Sequence, residues 1–245
     1  MRLDHLLSEI GLYVTHSSRV EIFDLALDSR HVTDGSLFIA IQGSNGHGLD
    51  YIDEVITSGA VAVLYDQWSG EIPIDIPALK VHELRTQIGY LASIFYGHPC
   101  QNMHIIGVTG TNGKTTTVHL IAQLAEHLGY KVARIGTLGV SVGSDQLVGL
   151  DRTTPDAVTL FKTFAKLQSL DVRVVAMEVS SHALDQCRVH GIPFEVAVMT
   201  NLTRDHLDYH GDMDSYGRAK ARLFYDFNIL KIYKKVFCIF FYTSS

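Results

Sequence analysis

The chain has 245 residues, of which 47% are apolar and 19% charged, a composition typical of a globular protein with a hydrophobic core. Its formal net charge of −6 excludes a role in coating nucleic acid, and its three cysteines lack CxxC spacing, which favours a reducing compartment. The N-terminus has no signal-peptide architecture and no stretch is apolar over a membrane-spanning length. We therefore expect a cytoplasmic protein without membrane or nucleic-acid partners. We also expect a monomer.

Residues 1–98 predict a small N-terminal α/β domain. Apolar runs bounded by turn residues indicate strands, and apolar spacings of three and four indicate helices. The predicted elements are strands at 37–41 and 60–65 and helices at 51–59 and 84–96. A loop with three glycines in seven residues, 42–48, follows the first strand. The helix-breaking segment 98–102 marks the domain boundary.

Residues 104–117 predict a phosphate-binding loop between a strand and a helix. A β-branched apolar run leads into a turn that contains Gly110 and Gly113, and Lys114 and Thr115 follow where a helical pattern begins. Glycines let backbone N–H groups turn toward an anion, and a helix N-terminus adds partial positive charge. Lys114 is then placed to reach nucleotide phosphates and Thr115 to ligate Mg²⁺. The alternative is a glycine-rich turn with a surface lysine.

The second domain, 99–227, is predicted to alternate strands and helices. Strands are expected at 132–135, 172–177 and 195–199, and an amphipathic helix at 156–170. Such alternation indicates an α/β fold with a parallel sheet, helices on both faces and ligands at the carboxyl ends of the strands.

The last residues, 228–245, differ in composition from the rest of the chain. They contain no glycine, proline or acidic residue and are rich in lysine, isoleucine, phenylalanine and tyrosine. We interpret this segment as an aberrant tail, for example one translated out of frame, and a genuine last strand is the alternative.

Two polar clusters follow predicted strands. Glu178 comes directly after an apolar run, so its carboxylate is placed to hold Mg²⁺, with a surface glutamate as the alternative. The segment 200–210 contains two aspartates, two histidines and an arginine. Either His206 or His210 is a candidate metal ligand or acid–base group, and the spacing does not decide between them.

Further candidates have simpler alternatives. Arg188 suits a bidentate pair with a substrate carboxylate or phosphate, or a surface salt bridge. Thr153 and Thr154 suit either the cap of the following helix or contact with a substrate. Lys220 lies in a helical pattern, where composition alone predicts an exposed lysine.

Taken together, these motifs resemble those of the Mur ligases. The matching segments are 109–116, 178–182 and 200–211, together with Leu27-Asp28-Ser29-Arg30 and Ala219-Lys220. They are similar, in this order and without large gaps, to the class that adds the third residue to the peptidoglycan stem peptide. One departure is Arg152, where the family pattern has asparagine.

The resemblance implies roles for individual residues. Lys114, Lys220 and His206 are the implied catalytic residues, and Lys220 is implied to be carbamylated. The implied ATP site comprises Gly110, Thr111, Asn112, Gly113, Lys114, Thr115 and Thr116. The implied Mg²⁺ ligands are Thr115, Glu178, His206 and Lys220. The implied contacts to the nucleotide sugar are Leu27, Ser29, Ser44, Asn45 and Gly46, and those to the muramoyl-dipeptide are Thr153, Thr154, Ser180, Gln186 and Arg188.

The implied reaction joins meso-2,6-diaminopimelate to UDP-N-acetylmuramoyl-L-Ala-D-Glu in peptidoglycan biosynthesis. Phosphoryl transfer from ATP turns the γ-carboxylate of D-Glu into an acyl phosphate, and the incoming amine displaces phosphate to form an amide. The family has a third, amino-acid-binding domain that we expect to be absent here, so the 245-residue chain is expected to be inactive or impaired. Lysine as the added residue, a non-catalytic ATP- or nucleotide-sugar-binding module, and a sister ligase of the D-Ala-D-Ala-adding or folylpolyglutamate type are the alternatives.

Overall fold

The computed structural model describes residues 1–12, 20–43, 46–72, 75–150, 152–227 and 229. The chain divides into two compact units, Met1–Gly97 and His98–Ser245. Ser44 and Asn45 of the predicted glycine loop lie outside the described residues, as does the predicted tail 228–245 apart from Ile229. Among the helices so described, none combines the length and the apolar character needed to cross a bilayer.

The first unit is built on a four-stranded parallel sheet. Its strands are β1 (Asp24–Ala26), β2 (Ser36–Ala40), β3 (Ala60–Tyr65) and β4 (Ala78–Lys80), and its helices are α1 (Leu3–Ser8), α2 (Ile52–Thr57) and α3 (Leu84–Phe95). The strand order follows the chain, β1-β2-β3-β4, and all five residues of β2 are buried. Phe38, Leu49, Val55 and Val63 form part of its core.

The second unit contains a six-stranded mixed sheet. Its strands are β5 (His104–Thr109), β6 (Val132–Gly136), β7 (Gly139–Val142), β8 (Asp145–Val148), β9 (Val174–Glu178) and β10 (Phe194–Met199). Its helices are α4 (Lys114–His127), α5 (Ala157–Ser169), α6 (Ser181–Asp185), α7 (Leu207–His210) and α8 (Met213–Tyr225). The order is β10-β5-β9-β6-β7-β8; the first four strands are parallel, and β7 and β8 extend the sheet antiparallel.

The α/β fold class and the elements predicted from the sequence are confirmed, with bounds that differ by at most a few residues. The predicted parallel sheet is confirmed for four strands, while β7 and β8 were not predicted. They are four residues each, joined by a turn at Gly143, and too short to carry a clear period. The three-residue strands β1 and β4 and the six-residue helix α1 were missed for the same reason.

Helices pack on both faces of β5. Val118 of α4 packs against Val108, whereas a Cβ added at Gly107 would lie 3.3 Å from Leu223 of α8. Because consecutive strand residues face opposite sides of a sheet, α4 and α8 cover opposite faces. The missing Cβ at Gly107 also leaves room for Phe194, whose ring would lie 2.9 Å from it.

The parallel strands end at one rim of the sheet. Val108 of β5 is in register with Glu178 of β9, and Thr109 with Met199 of β10. The segments that leave these ends are therefore neighbours, as expected at the carboxyl edge of a parallel sheet. We call this edge the polar rim.

Candidate functional site

The predicted phosphate loop, residues 110–113, connects β5 to α4. Gly110 has φ +145° and Gly113, at the N-terminus of α4, has φ +81°. A Cβ at Gly110 would lie 1.8 Å from the Thr200 hydroxyl, so only glycine fits there. The Asn112 N–H donates to Asn201 Oδ1 at 3.0 Å, and the Asn112 carbonyl accepts from Asn201 Nδ2 at 3.0 Å. The segment after β10 thus fixes the loop backbone.

Two lysines converge on one carbonyl of this loop. Lys114 Nζ donates to the carbonyl oxygens of Gly110 at 2.8 Å and Thr111 at 2.9 Å, and Lys220 Nζ donates to Gly110 at 2.9 Å. Burial, followed by the nearby Lys114 ammonium, lowers the pKa of Lys220 to about 7, while Asp205 opposes this shift. Burial also lowers the pKa of Lys114. Lys220 is 1% exposed, so the composition-based prediction of an exposed lysine is wrong.

Glu178 ends β9 beside the start of α4. Its Oε1 accepts from Thr115 Oγ1 at 2.9 Å and from the Thr137 N–H at 3.0 Å, and Oε2 accepts from Thr137 Oγ1 at 3.3 Å. A Cβ at Gly136 would lie 2.3 Å from Oε1, so glycine leaves room for the carboxylate. Glu178 is 2% exposed, and the surface alternative is therefore wrong.

A chain of hydrogen bonds continues from Glu178 through the predicted dipeptide-binding residues. Thr154 Oγ1 donates to the Glu178 carbonyl at 3.0 Å and accepts from the Ser180 N–H at 3.1 Å. Arg188 Nη1 donates to the Thr154 carbonyl at 3.0 Å, and Arg188 Nε donates to Gln186 Oε1 at 2.9 Å. These four residues are thus brought together on the polar rim.

The remaining threonine, Thr153, lies beside the same carboxylate. Its hydroxyl is 3.1 Å from Thr137 Oγ1, which itself donates to Glu178. The helix α5 is capped by Asp156, whose Oδ1 accepts from the Thr159 N–H at 3.0 Å. The capping alternative for the threonine pair is therefore wrong.

The two candidate histidines lie in a cluster of aromatic rings. The His182 ring is 4.9 Å from that of His206, 5.5 Å from that of His210 and 4.3 Å from that of Tyr209. Burial, then the neighbouring imidazoles of His206 and His210, lowers the pKa of His182. Of the two candidates, His210 donates to or accepts from Ser181 Oγ at 3.0 Å, and His206 is exposed, with its ring 6.1 Å from that of Tyr216.

The predicted nucleotide-sugar residues belong to the first unit. Leu27 follows β1 and is half-buried, and Ser29 begins a short 3-10 helix capped by Asp28. Gly46 has φ +155°, and its carbonyl accepts from the Gly43 N–H at 2.8 Å.

Sequence reasoning missed several residues of the polar rim. Thr137, Asn201, Thr203 and Tyr216 all contact predicted site residues, as the bonds to Glu178, Asn112 and Thr111 show. Thr137, Asn201 and Thr203 follow strand ends. Glu178 was predicted because it is a charged residue directly after a predicted strand, and the same criterion would have predicted these three residues if it had included neutral polar side chains. The described part of the chain contains no group of three or more histidine, cysteine or acidic side chains arranged to hold a metal ion.

Two family models match the chain. "Mur ligase family, catalytic domain" matches residues 21–96, and "Mur ligase middle domain" matches residues 108–235, more than half of the chain.

Three similar proteins carry the same name, UDP-N-acetylmuramoyl-L-alanyl-D-glutamate--2,6-diaminopimelate ligase. That of Xylella fastidiosa strain Temecula1 is 48% identical over 225 residues, and that of Geobacillus thermodenitrificans is 45% identical over 225 residues. Both matches cover 91% of this chain and 45% of the relative. A solved structure of a ligase of this name matches with a TM-score of 0.77 at 30% identity, over 91% of this chain and 45% of that one. The chain spans a little under half the length of these relatives.

Proposed function

The chain belongs to the Mur ligase family, and we propose from this that it acts in the ATP-dependent addition of meso-2,6-diaminopimelate to UDP-N-acetylmuramoyl-L-Ala-D-Glu. The observation that carries the proposal is the polar rim, where a glycine loop, the half-buried Lys114, the buried Lys220 and the buried Glu178 meet at adjacent strand ends. The names of the relatives support diaminopimelate rather than lysine as the added residue.

In this proposal ATP binds at residues 110–116. The glycine loop and the N-terminus of α4 offer backbone N–H groups and partial positive charge to the phosphates. Lys114 stands at the first position of that helix, with its ammonium over the loop. Its half-buried ammonium neutralises charge on the transferring phosphoryl group.

The residues around Glu178 fit Mg²⁺ in part. Mg²⁺ prefers oxygen ligands, and the Glu178 carboxylate and Thr115 hydroxyl lie 2.9 Å apart, beside the position proposed for the phosphates. When bound there, Mg²⁺ would neutralise phosphate charge. We propose His206 as a further ligand of this ion, and a carbamylated Lys220 as a ligand of a second Mg²⁺. A lowered pKa supports the modification, because the neutral amine is the form that adds CO₂ and releases a proton.

The dipeptide end of the substrate is assigned to five residues that hydrogen bonds connect to Glu178, directly or through one another and Thr137: Thr153, Thr154, Ser180, Gln186 and Arg188. A substrate carboxylate bound by these residues would lie next to the proposed phosphoryl donor, the orientation that amide-bond ligation requires. The uridine end is assigned to Leu27, Ser29 and Gly46, together with Ser44 and Asn45 outside the described residues. We further propose a cytoplasmic monomer without nucleic-acid or membrane partners, and the net charge of −6 supports the absence of a polyanionic partner.

Calorimetric binding of UDP-N-acetylmuramoyl-L-Ala-D-Glu tests the substrate assignment, with circular dichroism on the same sample. We expect binding that weakens in Ser29→Ala and in Arg188→Ala, because each variant removes an assigned contact. A folded chain that fails to bind this ligand would refute the substrate assignment.

A metal titration tests the assignment of Glu178. In Glu178→Gln we expect ADP binding to lose its dependence on Mg²⁺, because the amide keeps the shape of the carboxylate without its charge. Glu126→Gln is the matched control, since Glu126 is an exposed glutamate at the other end of α4. Equal Mg²⁺ dependence in the two variants would remove Glu178 from the metal site.

A further inference from the structure

Tyr216 is a buried aromatic residue of α8 that none of the assignments above uses. Its side chain is the largest among the fully buried ones in the described chain, with 0% exposure. Its phenolic oxygen lies 3.2 Å from Thr111 Oγ1 in the phosphate loop. A buried hydroxyl without a hydrogen-bond partner destabilises the folded chain, so this contact contributes to stability.

The direction of this hydrogen bond follows from the other partners of Thr111. The Thr111 hydroxyl donates its proton to the Thr203 carbonyl at 3.1 Å and accepts from the Thr203 N–H at 3.0 Å. A hydroxyl has one proton and two acceptor sites, so the contact that remains is an acceptor site. Tyr216 is therefore the donor of this hydrogen bond.

The ring of Tyr216 contacts a second group of the site. Lys220 Nζ lies 4.4 Å from the ring centroid and donates to the Gly110 carbonyl at 2.9 Å. Tyr216 and Lys220 are four residues apart, so they stand on the same face of α8. One turn of this helix thus contacts two consecutive residues of the loop, Gly110 and Thr111.

We propose that Tyr216 is a positioning residue for the nucleotide phosphates, with its hydroxyl fixing Thr111 and its ring packing against the end of the Lys220 side chain. This inference rests on the proposed ATP site. Asn201 bonds the loop backbone, accepting from the Thr111 N–H and the Asn112 N–H at 3.0 Å each, whereas Tyr216 of α8 contacts the side chain of Thr111. The loop is thereby fixed at two successive residues by two different elements.

Binding of Mg²⁺ with a non-hydrolysable ATP analogue, measured by calorimetry on the whole chain, tests this inference. We expect Tyr216→Phe to weaken binding about three- to tenfold, the effect of one lost hydrogen bond, while circular dichroism shows a folded protein. Tyr225→Phe is the matched control on the same helix, because Tyr225 is 74% exposed, and it should bind like the wild type.

A double-mutant cycle separates positioning from general stability. We expect Thr111→Val to weaken binding at least as much as Tyr216→Phe, because it also removes the two contacts of the Thr111 hydroxyl with Thr203. The double variant should lose no more than Thr111→Val alone, because both changes remove the same hydrogen bond between Tyr216 and Thr111. If Tyr216→Phe fails to fold, a threefold or greater loss in a folded Thr111→Val supports the inference and unchanged binding overturns it.

The outcomes of these binding experiments also distinguish a failure of this inference from a failure of the proposed function. A folded wild-type chain that does not bind the analogue refutes the ATP site and the inference with it. A wild type that binds, together with a Tyr216→Phe variant of equal affinity or with additive losses in the cycle, overturns the inference alone.

Discussion

Of the two glycines in the phosphate loop, Gly110 has no room for a side chain, whereas a Cβ added at Gly113 would meet no atom within 4 Å. A Cβ there would lie 1.8 Å from the Thr200 hydroxyl, which donates to the Asn112 carbonyl at 2.7 Å. We expect Gly110→Ala to lower the free energy of unfolding by more than about 2 kcal/mol and to abolish nucleotide binding, because backbone and hydroxyl cannot both stay in place.

Gly129→Ala is the control for Gly110→Ala. Gly129 also has a positive φ, +86°, but an added Cβ there would meet no atom within 4 Å. Gly129→Ala should lower the free energy of unfolding by about 1 kcal/mol, the cost of a positive φ for alanine, and leave nucleotide binding unchanged. Urea unfolding and calorimetry measure both effects, and equal costs in the two variants would contradict the steric explanation.

Lys220 should make stability depend on pH. An unfolded chain keeps a lysine protonated up to about pH 10, whereas burial and then Lys114 lower the pKa of Lys220 to about 7 in the folded chain. Between these values the unfolded state binds more protons, so the free energy of unfolding rises with pH. Relative to Lys220→Met, the wild type should gain up to about 1.4 kcal/mol per pH unit from about pH 8 to 9. Urea unfolding curves that stay parallel for the two proteins would contradict this.

The sequence predicted the site unevenly at the level of residues. Glu178 was found because a carboxylate directly after an apolar strand is visible in the sequence. The burial of Lys220 was not predicted from composition, because α8 carries polar and apolar residues on several sides. Only packing decides which of its polar residues faces the loop. Tyr216 was missed for the same reason, since aromatic residues at helical spacing usually indicate the core.

At the level of elements, the N-terminus of α5 depends on one aspartate. Asp156 accepts from the Thr159 N–H at 3.0 Å and from the Thr159 hydroxyl at 2.7 Å. We expect Asp156→Ala to lower the free energy of unfolding by about 1 kcal/mol, because it leaves a helical N–H without its partner. Asp156→Asn keeps a hydrogen-bond acceptor and should lower the free energy of unfolding by only a few tenths of a kcal/mol. Thermal unfolding of the two variants distinguishes them, and identical midpoints would show that the cap contributes nothing.

The elements that the sequence predicted are the long ones. Helices α3, α4 and α5 have 12 to 14 residues and span several turns, so their apolar faces repeat often enough to be seen. The buried strands β3, β5 and β9 are continuous apolar runs, as parallel strands covered on both faces should be. Helices α6 and α7, with five and four residues, are set by local caps and tertiary contacts, which a period cannot reveal.

At the level of the whole molecule, the residues proposed for uridine and those proposed for ATP belong to different compact units. We expect Ser29→Ala to weaken binding of UDP and leave ADP binding unchanged, and Lys114→Met to do the reverse, because each removes a contact assigned to one ligand. Calorimetric titrations of the whole chain with each nucleotide measure this. If Lys114→Met weakened UDP binding as much as ADP binding, the separate assignment would be wrong.

The polarity of the parallel sheet also determines where the chain tolerates chemical attachment. All the chemistry proposed for the second unit lies at the carboxyl ends of β5, β6, β9 and β10, so the amino ends form an opposite rim. Exposed residues there include Lys131, before β6, and Arg173, before β9. Coupling Lys131→Cys to a sensor surface would attach the protein through this rim. The phosphate loop at the opposite rim would then remain accessible to a nucleotide in solution.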